Sequence, residues 1–199
     1  LAFFSTILYA IGFVGNLVVP KTIDGEPQTS LLAAVLINAS LLLLFALQHS
    51  IMARPAFKNW WTRIIPKELE RSSFVLLSSL CVMLLMWQWQ PVGGIVWSVE
   101  SKVVKDLLFI FYLAGWGIVF ISTFLINHFD LFGLRQVWLY FNDKMYTELP
   151  FRLPGLYQLV RHPLYLGFLI AFWSTPVMTV AHLLFALLTT GYILTAIRF

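Results

Sequence analysis

SLLAAVLINASLLLLFALQHSIMA, residues 30–53, carries no Lys, Arg, Asp or Glu and is closed by Arg54-Pro55. At a rise of about 1.5 Å per residue, a helix over this stretch crosses a hydrocarbon core of about 30 Å. A glycosylation sequon, Asn38-Ala39-Ser40, falls inside it and is discarded for that reason. Comparable apolar runs cover 2–19, ending at Pro20, 72–90, ahead of Pro91-Val92-Gly93-Gly94, and 103–127. Each has the length of a span. The tail, 164–199, is too long for one, and Pro176 within Trp173-Ser174-Thr175-Pro176 supplies a break. Two shorter helices in a hairpin fit it better than one long kinked helix. The fold class expected is all-α: a polytopic helical membrane bundle of about five transmembrane elements in one domain, the last broken or folded into a hairpin at Pro176.

Composition agrees. The 199 residues are 60% hydrophobic and 11% charged, far from the balance of a soluble domain. The net charge of +4 is modest, and the basic residues sit between apolar runs. They speak to topology and anionic headgroups, and no nucleic-acid partner is expected. Cys81 stands alone in an apolar run, so no intrachain disulfide can form. The sequence opens at Leu1 without a methionine, which reads as a trimmed piece. Its first apolar run lacks a basic leader and a small-residue cleavage site, so it reads as a span and not a signal peptide.

Basic residues set the expected orientation. Arg54, Lys58, Arg63, Lys67 and Arg71 lie between the second and third runs; Arg135, Lys144, Arg152 and Arg161 follow the fourth. The alternate connections hold only Lys21, and Lys102 with Lys105. The excess of positive charge places both basic segments, and the N-terminus, on the cytoplasmic side of a bacterial inner membrane.

That topology gathers polar residues from distant parts of the chain at one level. His49 ends the second run; Asn127, His128 and Asp130 end the fourth; Arg161, His162 and Tyr165 open the last helical region. An interfacial rim explains any one of these, because Tyr and basic groups collect there anyway. The set, taken with the motif Arg161-His162-Pro163-Leu164-Tyr165-Leu166-Gly167, points to a functional site. Pro163 suits a first helical turn, whose free N–H groups beside Arg161 can receive a carboxylate. His162 and Tyr165, three apart, share a face, and Gly167 lets a ligand or a neighbouring helix come close. No Gly-rich dinucleotide loop, zinc-spaced histidine pair or nucleophile elbow is present, and no metal is expected. His182 reads as a packed or lipid-boundary histidine.

Four segments, 47–55, 70–72, 127–134 and 157–168, together resemble the bacterial methanethiol S-methyltransferase family. The short motif alone resembles the cofactor motif of the isoprenylcysteine carboxyl methyltransferase superfamily, to which NnrU-like membrane proteins are also related. The resemblance implies transfer of the methyl group of S-adenosylmethionine to a small thiol, methanethiol, giving dimethyl sulfide. It implies cofactor contacts at Arg161, His162, Tyr165 and Gly167, with Tyr157 on the same segment. In relatives the last helix continues into an acidic–basic tail; this sequence ends at Ile197-Arg198-Phe199. The reaction also needs an acceptor for the thiol proton. His128 and His49 are the candidate bases, with Asp130 as an orienting or proton-accepting partner. Two other readings stand beside this one: a non-catalytic NnrU-like protein linked to denitrification, and a methyltransferase for a larger lipidic thiol or carboxylate. Cofactor binding separates the first, and acceptor size the second.

Overall fold

The computed structural model describes residues 2–147 and 155–198; Leu1, Phe199 and Arg152, counted above among the basic residues, lie outside the described residues. The elements are α1 (Ala2–Val14), α2 (Leu31–Ala53), α3 (Pro55–Trp61), a 3-10 turn (Lys67–Leu69), α4 (Glu70–Gln88), β1 (Ile95–Ser98), α5 (Lys102–Ile126), α6 (His128–Leu131), α7 (Leu134–Phe141), α8 (Leu156–Leu159), α9 (Pro163–Trp173), β2 (Val177–Thr179) and α10 (Val180–Arg198). Among the described residues, four segments are long and apolar enough to cross a membrane: α2, α4 with its leading turn, α5 and α10. The protein is an integral membrane helical bundle.

The apolar run 2–19 does not make a full span. α1 has 13 residues, about 20 Å, and stops where Gly15-Asn16 turns the chain. Asn16 takes a left-handed backbone (φ 53°), and its amide donates to Asp24 Oδ2 at 2.7 Å. The tail breaks as expected at Pro176, giving the short α9 and the long α10. Between them lies a feature that hydropathy does not reveal: β2 pairs antiparallel with β1, with a bulge between Ile95 and Trp97. β-branched and aromatic residues after Gly93-Gly94 favour that strand.

In the bundle α2 packs on α4 and α10, α4 on α1, and α5 on α9. The core sits toward the end away from the basic segments. There Trp89 is fully buried between Phe13 and Phe185, its indole N–H donating to the Ile23 carbonyl at 3.1 Å. Asn38 is buried in α2 and bonds both ways to the Gln90 backbone, donating from Nδ2 at 2.7 Å and accepting at Oδ1 at 2.8 Å. Nearby, Asp24 accepts from Thr179 and Asn16, and His182 Nε2 donates to the Phe172 carbonyl at 2.9 Å. Burial works to raise the Asp24 carboxyl; the facing His182, Thr179 and Asn16 more than offset it, leaving it below the ordinary carboxylate value.

The tightest helix contact joins α5 to α9. A Cβ on Gly115 would lie 2.6 Å from the Ala171 backbone nitrogen, and one on Gly167 would lie 2.7 Å from the Gly115 carbonyl oxygen. Backbone meets backbone, as small residues allow between helices in lipid. Gly115→Ala should therefore push the two helices apart at a cost of about 1–3 kcal/mol. Gly117 faces open space, nothing lying within 4 Å of its added Cβ, so Gly117→Ala should leave stability unchanged or slightly raised. Thermal unfolding of both variants in detergent, compared with wild type, checks the contrast.

Candidate active site

The antiparallel α5–α9 contact fixes the height of the motif. Gly167 packs between Gly115 and Val119, so equal rise along both helices brings His162 level with Ser122 and Thr123. His162 is the N-cap of α9 with Pro163 in the first turn, and no side chain hydrogen-bonds to that turn as a cap. Arg161 and His162 are exposed, Tyr165 is half-buried, and the His162 and Tyr165 rings lie 5.6 Å apart. Gly167 is buried, and the space before it is filled by α5. Tyr157, in α8, is half-buried, and that burial pushes its phenol up. An exposed guanidinium, an uncapped helix start and a paired imidazole and phenol fit a ligand bearing a carboxylate and an aromatic base.

His128 lies at the end of α5, where Asn127 (φ 106°) turns the chain sharply into α6. Such a backbone is costly for a non-glycine residue and is held here by the Asn127 side chain, which accepts from the Asp130 N–H at 3.1 Å. The turn folds the imidazole back under α5. Phe124 stacks on it at 4.3 Å, and Phe4, Phe120, Phe129 and Phe132 surround it, leaving 4% of the residue exposed. That burial holds the ring below its ordinary pKa. Thr123 Oγ1 lies 2.9 Å from His128 Nδ1 and donates its own proton to the Phe120 carbonyl at 2.7 Å. The threonine oxygen must then accept from the imidazole, so Nδ1 carries the hydrogen and Nε2 is the free acceptor.

His49 sits apart, in α2. Its Nδ1 shares a hydrogen bond with Ser78 Oγ at 3.2 Å, and its ring packs on Phe45 and Phe74. The next residue, Ser50, bonds Tyr192 of α10 at 3.0 Å. Asp130 faces elsewhere: its oxygens accept from Arg135 Nη1 at 3.2 Å and from the Tyr146 hydroxyl at 3.1 Å. Its expected partnership with a histidine is absent from these bonds.

Arg71 joins the groups. Its Nε donates to the Leu131 carbonyl at 2.7 Å, its guanidinium lies 5.3 Å from the Phe74 ring, and both His49 and Asp130 are within range of its charge. Gly133 completes the join: it has φ 76°, and its Cβ would meet Ser72 Oγ at 2.5 Å. A cleft of about 1240 Å³ opens here, lined among the described residues by Lys58, Asn59, Arg71, Asp130, Gln136 and Tyr146 with others. It contains none of Tyr157, Arg161, His162, Tyr165 or Gly167. Sequence reading passed over Thr123, Ser78 and Tyr192, whose partners are set by helix packing. The only available signal was a row of hydroxyls in otherwise apolar helices.

No protein-family model matches the chain, and no solved structure does. Known proteins do. A methanethiol S-methyltransferase of Crocosphaera subtropica is 57% identical over 98% of this chain and 77% of its own length. Methanethiol S-methyltransferase 1 of Bradyrhizobium diazoefficiens is 55% identical over 99% of this chain and 69% of its own. The Mycobacterium tuberculosis methanethiol S-methyltransferase is 50% identical over 100% of this chain and 82% of its own. Identity of this size over 98–100% of the sequence leaves one assignment: the chain belongs to the methanethiol S-methyltransferase family.

Proposed function

We propose that the protein methylates methanethiol to dimethyl sulfide with S-adenosylmethionine, working at the cytoplasmic face of a bacterial inner membrane. The observation that carries this reading is likeness along nearly the whole of this chain to proteins named for that acceptor, of which it covers 69–82%. The site chemistry fits it. When bound, S-adenosylmethionine supplies a methyl group activated on a sulfonium. Arg161 and the open first turn of α9 receive a carboxylate, and His162 with Tyr165 offers a ring surface. Gly167 acts one step back, by seating α9 against α5. Tyr157 stands on the approach to the motif.

His128 is the proton acceptor. Thr123 holds it with Nε2 free, and its aromatic surroundings suit a small apolar thiol, since sulfur packs well against ring edges. Its lowered pKa keeps it neutral, and so able to accept a proton, at physiological pH. His49 is the second candidate, and Asp130 supports the site through Arg135, Tyr146 and Arg71.

Headspace detection of dimethyl sulfide from purified protein, methanethiol and S-adenosylmethionine tests the reaction. Product from methanethiol is expected; product only from larger thiols or carboxylates, or no binding of the methyl donor, overturns the reading. His162→Ala should weaken S-adenosylhomocysteine binding, measured by calorimetry, without unfolding the protein.

General-base help is worth about 10²–10⁴-fold, so His128→Ala should lower turnover by that order while sparing cofactor affinity. Raising the pH, which supplies thiolate directly, should restore part of it. Thr123→Val should lower kcat and Thr123→Ser should retain it. If His49→Ala shows the pH-rescued loss and His128→Ala does not, the base is His49.

Orientation is tested by accessibility. Cysteines placed at Lys58 and Lys144, in a Cys81→Ala background, should label from the cytoplasmic side only; labelling from the periplasm reverses the topology.

A further inference from the structure

α7 is amphipathic in the opposite sense to a helix on a water-soluble protein. Leu134, Val137, Trp138 and Phe141 fall within about 100° of helix circumference at 3.6 residues per turn. That face is turned outward: Trp138 is 56% exposed and Phe141 78%. The polar face is turned inward. Arg135 donates to Asp130 Oδ1 and to the Thr147 carbonyl, and Gln136 Nε2 donates to the Asp130 carbonyl at 3.2 Å. In water this arrangement would expose the wrong side. In lipid it is the expected one.

Length and position narrow the surroundings. Eight residues reach about 12 Å, too little to cross a core of about 30 Å. α7 begins a short turn after the end of α5, a membrane-spanning helix, so it sits where the lipid-facing surface of the bundle meets the headgroups. Lys144 folds back with its ammonium 5.2 Å from the centre of the Trp138 ring, the placement of a cation that keeps its head in the polar layer above an immersed indole. On the far side of the cleft, Phe57, Trp60 and Trp61 of α3 cluster; Trp60 is half exposed, while Trp61 turns inward and donates to Ser73 Oγ at 2.8 Å. Lys58 and Asn59 of α3, and Gln136, Tyr140 and Phe141 of α7, line the cleft between them, so that Phe141 stands at its rim.

We propose that α7 is an interfacial helix lying in the plane of the bilayer, with the Leu134–Trp138 face immersed at the level of the acyl-chain ends nearest the headgroups, Phe141 at the boundary where the cleft opens, and Trp60 of α3 at the same level across it. The occupant of this exposed apolar face is phospholipid. The two helices hold the mouth of the cleft at the membrane surface, by the route that anchors monotopic helices: buried apolar area with aromatic residues at the boundary.

The test uses the full chain in phosphatidylcholine vesicles. Nitroxide labels are attached at single cysteines, Trp138→Cys or Tyr140→Cys, each in a Cys81→Ala background. Collision with oxygen, which concentrates in lipid, is compared with collision with a water-soluble nickel chelate. Position 138 should favour oxygen and position 140, on the cleft wall, should favour the chelate, so that the ratio inverts within one turn. Chelate access at both positions places α7 in water and overturns the proposal. A label at 138 reached by neither reagent means that a second copy of the chain covers the face, which also overturns it. A second measurement needs no label: lipid brominated high on the acyl chain should quench wild-type tryptophan emission more than that of Trp138→Phe. Equal fractional quenching of the two proteins would count against immersion.

Discussion

The close approach of α5 and α9 is the constraint on which the arrangement of the site rests. Between helices surrounded by lipid there is little hydrophobic drive to associate, because acyl chains are as apolar as the side chains they would replace. Packing must come from contact, and the deepest contact is available where side chains are absent. Gly115 and Gly167 supply it, with Ala171 as the third small residue. Trp116, Phe168 and Phe172 interlock beside the glycines, with ring centres 5.5–6.2 Å apart. The contact is about stability first, yet it also sets a register. Arg161 and His162 stand at the level of Thr123 because Gly167 stands between Gly115 and Val119.

A second join acts at right angles to the first. Arg71, at the start of α4, reaches the corner between α6 and α7, and Ser72 donates to the Gly133 carbonyl at 3.1 Å in the same corner. The segment carrying His128 and Asp130 is thereby tied to α4, while α4 bears Phe74 and Ser78 against His49. The two histidines weighed as bases thus belong to different packing units that share one arginine. Their environments differ in a way that matters chemically. His128 is fixed in tautomer because Thr123 has a carbonyl to donate to; the hydroxyl of Ser78 can either give or accept the proton of His49.

Hydropathy made the long helices legible, and their ends fell within a few residues of expectation, since Ser30 caps α2 and Pro55 opens α3. Pro176 marked the break in the tail for an equally local reason. The run 2–19 misled because apolar Leu17, Val18 and Val19 follow a turn that Gly15-Asn16 makes and mean hydropathy does not register. The short β1–β2 pair was illegible because its partners lie about 80 residues apart. Within the site, the motif and His128 could be read from residue type and spacing. Thr123, Ser78 and Tyr192 could not, because their meaning depends on a partner from another turn or helix. Gly167 was legible as a close approach, but whether ligand or helix made that approach was a question only packing could answer.

The two ends of the bundle hold their polar groups in different ways. At the end away from the basic segments, Asn38, Asp24, Thr179 and the indole of Trp89 are bonded to the chain around them, while the buried Nδ1 of His182 makes no hydrogen bond among the described residues and faces Asp24 Oδ2 at 3.9 Å. Such groups are costly to bury unpaired, and once paired they fix the structure. Toward the basic end, among the described residues, the α9 helix start is uncapped, and the buried carbonyl oxygens of the Gln48 and Gln136 side chains lack partners. Gln48 adjoins His49, and Gln136 binds the Asp130 backbone. Polar capacity left open at membrane depth lowers stability, and the bonded cluster around Asn38 and Trp89 offsets it at one end as the Arg71 and Ser72 contacts do at the other. On the proposal that His128 is the base, this matters chemically: its ring is held by packing and by Thr123, so that Nε2 is not spent on the fold.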